Sequence, residues 1–342
     1  AIVGHDLSTV PQCEKAGQRY FDLGGGDDDT TAEPPERILR RHGATHIRLR
    51  LWVDPPPGYS DLPSVLSFAR RVVVDEGMKL LLCLHLSDTW ADPGANRAPT
   101  VWHSLEPAAL AETVGIYVET VVRAFVDQGT PPDIVAVGNE IANGFLWPIG
   151  TLNRNRFADG ATCLRRGLDA VRKGWPAART MVHCNNGENK EMCGWFIDLL
   201  ASYDVEYDFL GLSFYPEDCR GHCCCEGSLR LLEASLVELA RRTGKPLIVV
   251  ETAHSGVWSP SHDSSSSPLR CLRRLAEVVA AVPGGLGRGV FYWEPAWLPG
   301  GEAYPGQGWH VPPGRALWAA DGRARPAIAA FDGFAAAAAS AA

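Results

Sequence analysis

The sequence predicts an α/β protein of the (β/α)8 TIM-barrel class, a single domain with long βα loops. Three observations lead there. Eight short apolar, β-branched runs alternate with longer stretches of helical period. Many of these runs are apolar on both faces, as parallel strands covered by helices must be. No G-x-G-x-x-G follows the first run, which removes the usual support for a doubly wound sheet.

In chain order the strand-like runs are AIVGHDL at the start, THIRLRLWV (45–53), KLLLCLHL (79–86) and DIVAVGNE (133–140). They continue with TMVHCN (180–185), DFLGLSFY (208–215), PLIVVET (246–252) and GVFYWEP (289–295). Between them, apolar residues recur at helical spacing, most clearly over Val65 to Glu76, Ala108 to Asp127, Leu229 to Arg242 and Leu269 to Val279. Gly43, Gly77, Gly129 and Gly244 follow such stretches and suit helix C-caps. The Ser-rich segment SPSHDSSSSP (259–268) falls between the seventh run and the next helix, so it reads as a long βα loop.

A length of 342 residues sets a prior of about two domains. No internal linker divides the chain, so one barrel over 1–334 is expected, with an Ala-rich tail at 335–342. The excess over a minimal barrel of about 250 residues goes to loops at the catalytic face. Apolar residues make up 46% and charged residues 21%, ordinary for a globular chain with a large core. No apolar run approaches the roughly 18 residues that would span a bilayer. No membrane partner is therefore expected, and the net charge of −8, which repels phosphate backbones, makes nucleic acid an unexpected partner as well. A monomer is expected.

The ten cysteines are many for a cytosolic enzyme, and their even number fits disulfides in an oxidising compartment. The chain starts at Ala1 without Met, which fits a removed signal peptide, and a secreted protein is expected. Cys83 and Cys184 lie in strand-like runs and read as buried thiols. The remaining eight, Cys13, Cys163, Cys193, Cys219, Cys223, Cys224, Cys225 and Cys271, allow 105 pairings, and none is assigned. The CRGHCCC segment could be read as a metal site with His222. Its spacing is not a zinc pattern, and a disulfide-tied surface loop is the better reading.

Barrel active sites lie at the C-terminal ends of the strands, and the polar residues accumulate there. In order they are Arg48 and Arg50, then His85 with Asp88 and Trp90, then Asn139 and Glu140. Asn185 and Asn186, Tyr215, Glu251 and Trp293 with Glu294 complete the ring. Glu140 and Glu251 are the most informative. Each ends an apolar strand, where a dry setting can tune its acidity. Strands four and seven face each other across an eight-strand barrel, and two opposed carboxyls flanked by Trp describe a glycosidase site. Alone, either Glu reads equally well as a helix cap or a structural ion-pair member. Trp52, Trp90, Trp147, Trp293 and Trp297 (of eleven Trp) could be core, but an aromatic face also matches the apolar face of a sugar ring. Trp175 and Trp195 lie in helix patterns, where packing suffices. The other histidines noted, His5, His42, His46, His103, His254, His262 and His310, form no ligand pattern.

Several motifs carry a family resemblance: GHDLS (4–8), HGATHIRLRLWVDP (42–55), GMKLLLCLHLSDTWADPG (77–94) and VGNEIANGFLWPIG (137–150), then GLSFYP (211–216), VVET (249–252) and YWEPAW (292–297). Together they resemble glycoside hydrolase family 53, the endo-β-1,4-galactanases of the clan A retaining glycosidases. The resemblance implies a barrel that hydrolyses β-1,4-galactan and type I arabinogalactan, polysaccharide partners that require no cofactor for the chemistry. It implies Glu140 as acid/base, Glu251 as nucleophile and Asn139 as the partner of the sugar 2-hydroxyl. Tyr215 would orient the nucleophile, with Arg48 beside it and Arg50 as runner-up on the same strand face. His85 and Trp293 match further subsite residues, and Asp88 and Trp90 the substrate-binding loop. Asn186, at the end of the fifth strand, is kept as a supporting residue. Relatives stabilise the late loops with calcium or a disulfide. Here that loop offers one carboxylate, Asp263, thin for calcium unless main-chain carbonyls add ligands.

Overall fold

The computed structural model describes residues 1–23, 31–152, 157–216, 225–254, 268–305, 314–332 and 334. Eight parallel strands close into one barrel in sequential order. They are β1 (Ile2–Asp6), β2 (His46–Leu51), β3 (Lys79–Leu84), β4 (Ile134–Val137), β5 (Arg179–Cys184), β6 (Phe209–Ser213), β7 (Leu247–Thr252) and β8 (Gly287–Tyr292). The ring closes where Val3 of β1 pairs with Val290 of β8.

After a short helix α1 (Val10–Lys15), helices cover the outside: α2 (Pro35–Arg41), α3 (Leu62–Arg70), α4 (Pro107–Asp127), α5 (Ala158–Gly174), α6 (Lys190–Ser202), α7 (Cys225–Thr243) and α8 (Pro268–Ala280). Local chemistry sets their ends. Pro107 opens α4 at a position where its missing N–H costs nothing. The Asn189 side chain caps α6 by accepting from the Met192 amide at 3.1 Å. The four expected C-cap glycines all take positive φ: 84° at Gly43, 64° at Gly77, 84° at Gly129 and 62° at Gly244. The inner face of α4 buries Leu110, Val114, Val118, Val121 and Phe125, while Ile116 on the opposite face is exposed.

One expectation needs correction. The helical period from Val65 to Glu76 breaks: α3 ends at Arg70 and the chain continues as a π-turn, Arg71–Asp75. Among the described residues, β8 is followed by the 3-10 segment Pro326–Phe331, whose Ile328 and Phe331 are buried.

The barrel interior is filled by alternate strand residues, among them Leu81, Ile134, Met181, Ile248, Val250 and Phe291. Glycine makes room for the largest of them. A Cβ on Gly4 would fall 2.2 Å from the Phe291 ring, and one on Gly211 2.8 Å from the Met181 sulfur.

Cys83 and Cys184 are buried free thiols, as read from sequence. Cys13, Cys163 and Cys193 are free as well, so they do not belong to a disulfide framework. Cys271 is disulfide-bonded. Cys219, Cys223 and Cys224, the Cys225 side chain, most of the Ser-rich loop and the tail at 335–342 lie outside the described residues. Trp195, assigned to packing, is 36% exposed. Among the described residues, no helix is long and apolar enough to cross a membrane.

Candidate active site

The C-terminal mouth of the barrel holds a cavity of about 190 Å³. Nine of the eleven residues singled out from sequence line it: Arg48, Arg50, His85, Trp90, Asn139, Glu140, Tyr215, Glu251 and Trp293.

Glu251 reaches the cavity through a register slip. Val249 faces the helices and Val250 the barrel interior. Strict alternation would therefore turn Glu251 outward. The pairing of β6 with β7 jumps instead from Leu212–Val249 to Ser213–Glu251, and this bulge re-aims the carboxylate into the mouth. There the Arg48 guanidinium pairs with it at 2.8 Å and the Tyr215 hydroxyl donates to it at 3.0 Å. Burial raises the Glu251 carboxyl above its usual range, while Arg48 and Tyr215 pull it back.

Glu140 arrives differently. It follows β4 through Gly138 (φ 85°) and itself sits at φ 50°, a left-handed conformation that an ordinary residue adopts at a cost. Burial and the facing Glu251 push its carboxyl up to about 8. The two carboxyls thus share one cavity in unequal settings, with an ion-pair partner at Glu251 and a neutral acid at Glu140.

Arg48 is the hub. It also pairs with Asp6 at the end of β1, donates to Asn139 Oδ1 at 2.7 Å and lies 3.2 Å from the Cys83 sulfur. Asn139 is held at further points. Its amide nitrogen donates to the Ala91 carbonyl at 2.8 Å, and its own carbonyl accepts from Asn96 at 2.9 Å.

Arg50, the runner-up to Arg48, is not paired with Glu251. It pairs with Glu294 inside the wall, where Thr9 Oγ1 also donates to Glu294 at 2.7 Å. Burial lifts the Glu294 carboxyl to about 7, with Arg50 and Thr9 opposing. The Arg50 guanidinium lies 4.1 Å from the Trp90 ring and 5.1 Å from the Trp52 ring. Trp52 and Trp297 are fully buried supports, while Trp90 and Trp293 face the cavity.

His85 is kept neutral by burial and by the neighbouring cations Arg48 and Arg50. Its Nδ1 accepts from Trp52 Nε1 at 3.2 Å and from the Ala91 amide at 3.1 Å. The ring proton therefore resides on Nε2, a donor available to a sugar hydroxyl.

Two expected residues are not in the cavity wall. Asp88 ties loops together, accepting from the Asp54 amide at 3.1 Å and the Thr100 amide at 2.8 Å. Asn186 is exposed at φ 49° in the turn after β5, where its carbonyl accepts from the Asn189 amide. Conversely, Asp92 and Arg315 line the cavity, and Asp6, His183 and Ser213 support it, without having been singled out. Asp6 lies inside GHDLS and His183 inside TMVHCN, but a strand pattern alone gives neither a partner. Among the described residues, no group of three or more His, Cys, Asp or Glu could hold a metal ion.

Residues 2–331 match the family model of glycosyl hydrolase family 53. Arabinogalactan endo-β-1,4-galactanase A of Aspergillus niger is 34% identical over 312 residues, covering 86% of this chain and 85% of its own. A solved structure of fungal β-1,4-galactanases aligns with a TM-score of 0.83 at 30% identity, covering 97% of this chain and 98% of its own. The Ignisphaera aggregans GH53 catalytic domain aligns with a TM-score of 0.82 at 27% identity, covering 96% and 95%. With its barrel, its paired glutamates and this match across nearly its whole length, the chain belongs to glycosyl hydrolase family 53.

Proposed function

We propose that this chain is a retaining, endo-acting glycosidase that cleaves β-1,4-galactosidic bonds in galactan and type I arabinogalactan. The observation that carries the catalytic assignment is the inequality of the two carboxyls in one cavity: Glu251 is held by Arg48 and Tyr215, whereas burial and the facing Glu251 push the Glu140 carboxyl up to about 8. Family membership and the galactanases among the relatives support the substrate.

The chemistry follows from that inequality. The Glu251 carboxylate attacks the anomeric carbon as the glycosidic C–O bond breaks, and Glu140 delivers its proton to the leaving oxygen. Arg48 and Tyr215 aim the attacking oxygen and limit its protonation. Glu140, now a base, takes a proton from water, which displaces Glu251 with a second inversion. Asn139, fixed by Arg48 and Ala91, keeps one amide N–H for the sugar 2-hydroxyl. Trp90 and Trp293 offer ring faces to the sugar. The two carboxyls supply both the nucleophile and the proton, so no cofactor enters a step. The polymer is too large to cross a membrane, and we place the enzyme outside the cell as a soluble monomer.

Product analysis on linear β-1,4-galactan, with mannan and xylan in parallel, tests this reading. Internal cleavage of galactan that is lost in Glu140→Ala and Glu251→Ala is expected. A preference for mannan or xylan would overturn the substrate, and full activity in Glu251→Ala would overturn the mechanism.

A further inference from the structure

Three arginines line the cavity: Arg48, Arg50 and Arg315. The first two are committed to the wall. Arg48 directs its terminal nitrogens to Asp6, Asn139 and Glu251, and Arg50 directs its own to Glu294 and Thr9. Arg315 differs. Among the described residues its side chain donates no hydrogen bond and meets no carboxylate. All three leave Nε buried without a partner, so the difference lies in the fork of donors at the tip.

What Arg315 does touch fixes where it points. Its guanidinium carbon lies 5.1 Å from the centre of the Tyr215 ring. The hydroxyl of that ring donates to Glu251 at 3.0 Å. The guanidinium therefore sits one aromatic ring away from the Glu251 carboxylate. The backbone beneath it is latched to the barrel mouth. The Arg315 carbonyl accepts from the Tyr292 hydroxyl of β8 at 2.5 Å, and that hydroxyl oxygen accepts from the His254 amide after β7 at 3.2 Å. Two residues on, the Leu317 amide donates to the Pro295 carbonyl at 2.7 Å. A half-buried side chain on so fixed a backbone, laid over Tyr215, is held at the cavity.

A guanidinium offers a planar fork of N–H donors and no acceptor. An uncommitted fork in the wall of a cavity calls for acceptors from a ligand. Two neighbouring sugar hydroxyl oxygens match its spacing, and so does a carboxylate. The surroundings favour the neutral match. Glu251 and Asp92 line the same cavity and the chain carries a net charge of −8, so a sugar acid would bring a third carboxylate beside two.

We propose that Arg315 is a substrate-binding residue whose fork donates to adjacent hydroxyl oxygens of the neutral sugar held beside Glu251. This rests on the reading of the chain as a galactanase. Those hydroxyls do not change in the reaction, so Arg315 strengthens the binding of substrate and transition state alike.

The test is a calorimetric titration of β-1,4-galactotetraose into the Glu140→Gln protein, with and without Arg315→Gln. Arg315→Gln should weaken binding about 10- to 100-fold, the scale of lost charge-assisted hydrogen bonds. Arg315→Lys keeps the charge but not the fork, and should still bind at least about fivefold more weakly than the arginine protein. Both exchanges leave the backbone anchors in place, and matching melting curves check the fold. In the otherwise native enzyme, Arg315→Gln should raise KM by a similar factor with kcat within about threefold. Unchanged binding in Arg315→Gln, or full binding in Arg315→Lys, would overturn the proposal. So would a loss of kcat at unchanged KM, which would make Arg315 a partner of Tyr215 alone. Tighter binding of tetragalacturonate than of galactotetraose, lost in Arg315→Gln, would assign the fork to a carboxylate and overturn the neutral match. If the protein with Arg315 intact binds no galactotetraose, the substrate reading falls and takes this proposal with it. If it binds and Arg315→Gln binds equally, this proposal falls alone.

Discussion

Arg48 and Glu251 meet at 2.8 Å with almost no exposed surface on either side chain. A charge pair this dry is stable only where both partners are also bonded elsewhere. Here Arg48 is held by Asp6 and Asn139, and Glu251 by Tyr215. Removing Arg48 strands two buried carboxylates at once. Arg48→Ala should cost about 3–5 kcal/mol of folding stability, measured by chemical denaturation. Arg48→Lys should fold but cannot reach three acceptors in one plane. Its kcat/KM should fall by at least about 100-fold, and the acidic limb of its pH profile should move up as Glu251 becomes harder to ionise.

Glu140 makes stability depend on pH. Its folded pKa, about 8, lies above the ordinary value of 4.5. Between those values the unfolded chain has released a proton that the folded chain still holds, so stability falls as pH rises through this window. Below about pH 4.5 the group makes no difference. Glu140→Gln removes the penalty. The variant should match the parent at pH 4 and exceed it at pH 9 by on the order of 1–2 kcal/mol, a figure discounted for the partial exposure of this side chain. Melting curves at the two pH values check this, and an equal difference at both would contradict it.

Trp293 faces the cavity without carrying a charge network, whereas Trp90 also covers Arg50. Trp293→Ala should raise KM for galactan about 10-fold and change kcat less, as expected for lost ring stacking. Trp90→Ala should lower both binding and stability, because it uncovers the buried Arg50–Glu294 pair. Steady-state kinetics with parallel melting curves separate the two.

Asp88 should behave as a loop tie. Asp88→Ala leaves the amides of Asp54 and Thr100 without their acceptor, which should cost about 1–2 kcal/mol. The chemistry should survive, with kcat within about threefold of the parent, since Asp88 does not line the cavity. A loss of kcat by orders of magnitude would restore it to the site.

The barrel was legible because its signals are periodic: eight apolar runs, helical spacing between them and glycine at the stops. Glu140 and Glu251 were legible because a carboxylate closing an apolar strand is an unusual residue in an unusual place. Direction was harder to read. Asp88 and Asn186 sit at the right ends of the right strands, yet one caps amides and the other faces solvent. Spacing says which end of a strand a residue occupies, not where a turn aims its side chain. Asp6 and His183 were passed over for the opposite reason. Each lies in a run that reads as an ordinary strand, and its importance comes from partners more than 40 positions away, Arg48 and Asn139.

The bulge that turns Glu251 inward sets a condition on transplanting this site. A designer who copies β7 into another barrel by matching hydrophobic positions would restore the regular pleat and aim the carboxylate at the surrounding helices. The portable unit is β6 and β7 together, Leu212–Ser213 against Val249–Glu251, because the slip belongs to the pair and not to either strand. By the same logic, a one-residue insertion or deletion in β7 would turn the Glu251 carboxylate out of the cavity while leaving its codon untouched.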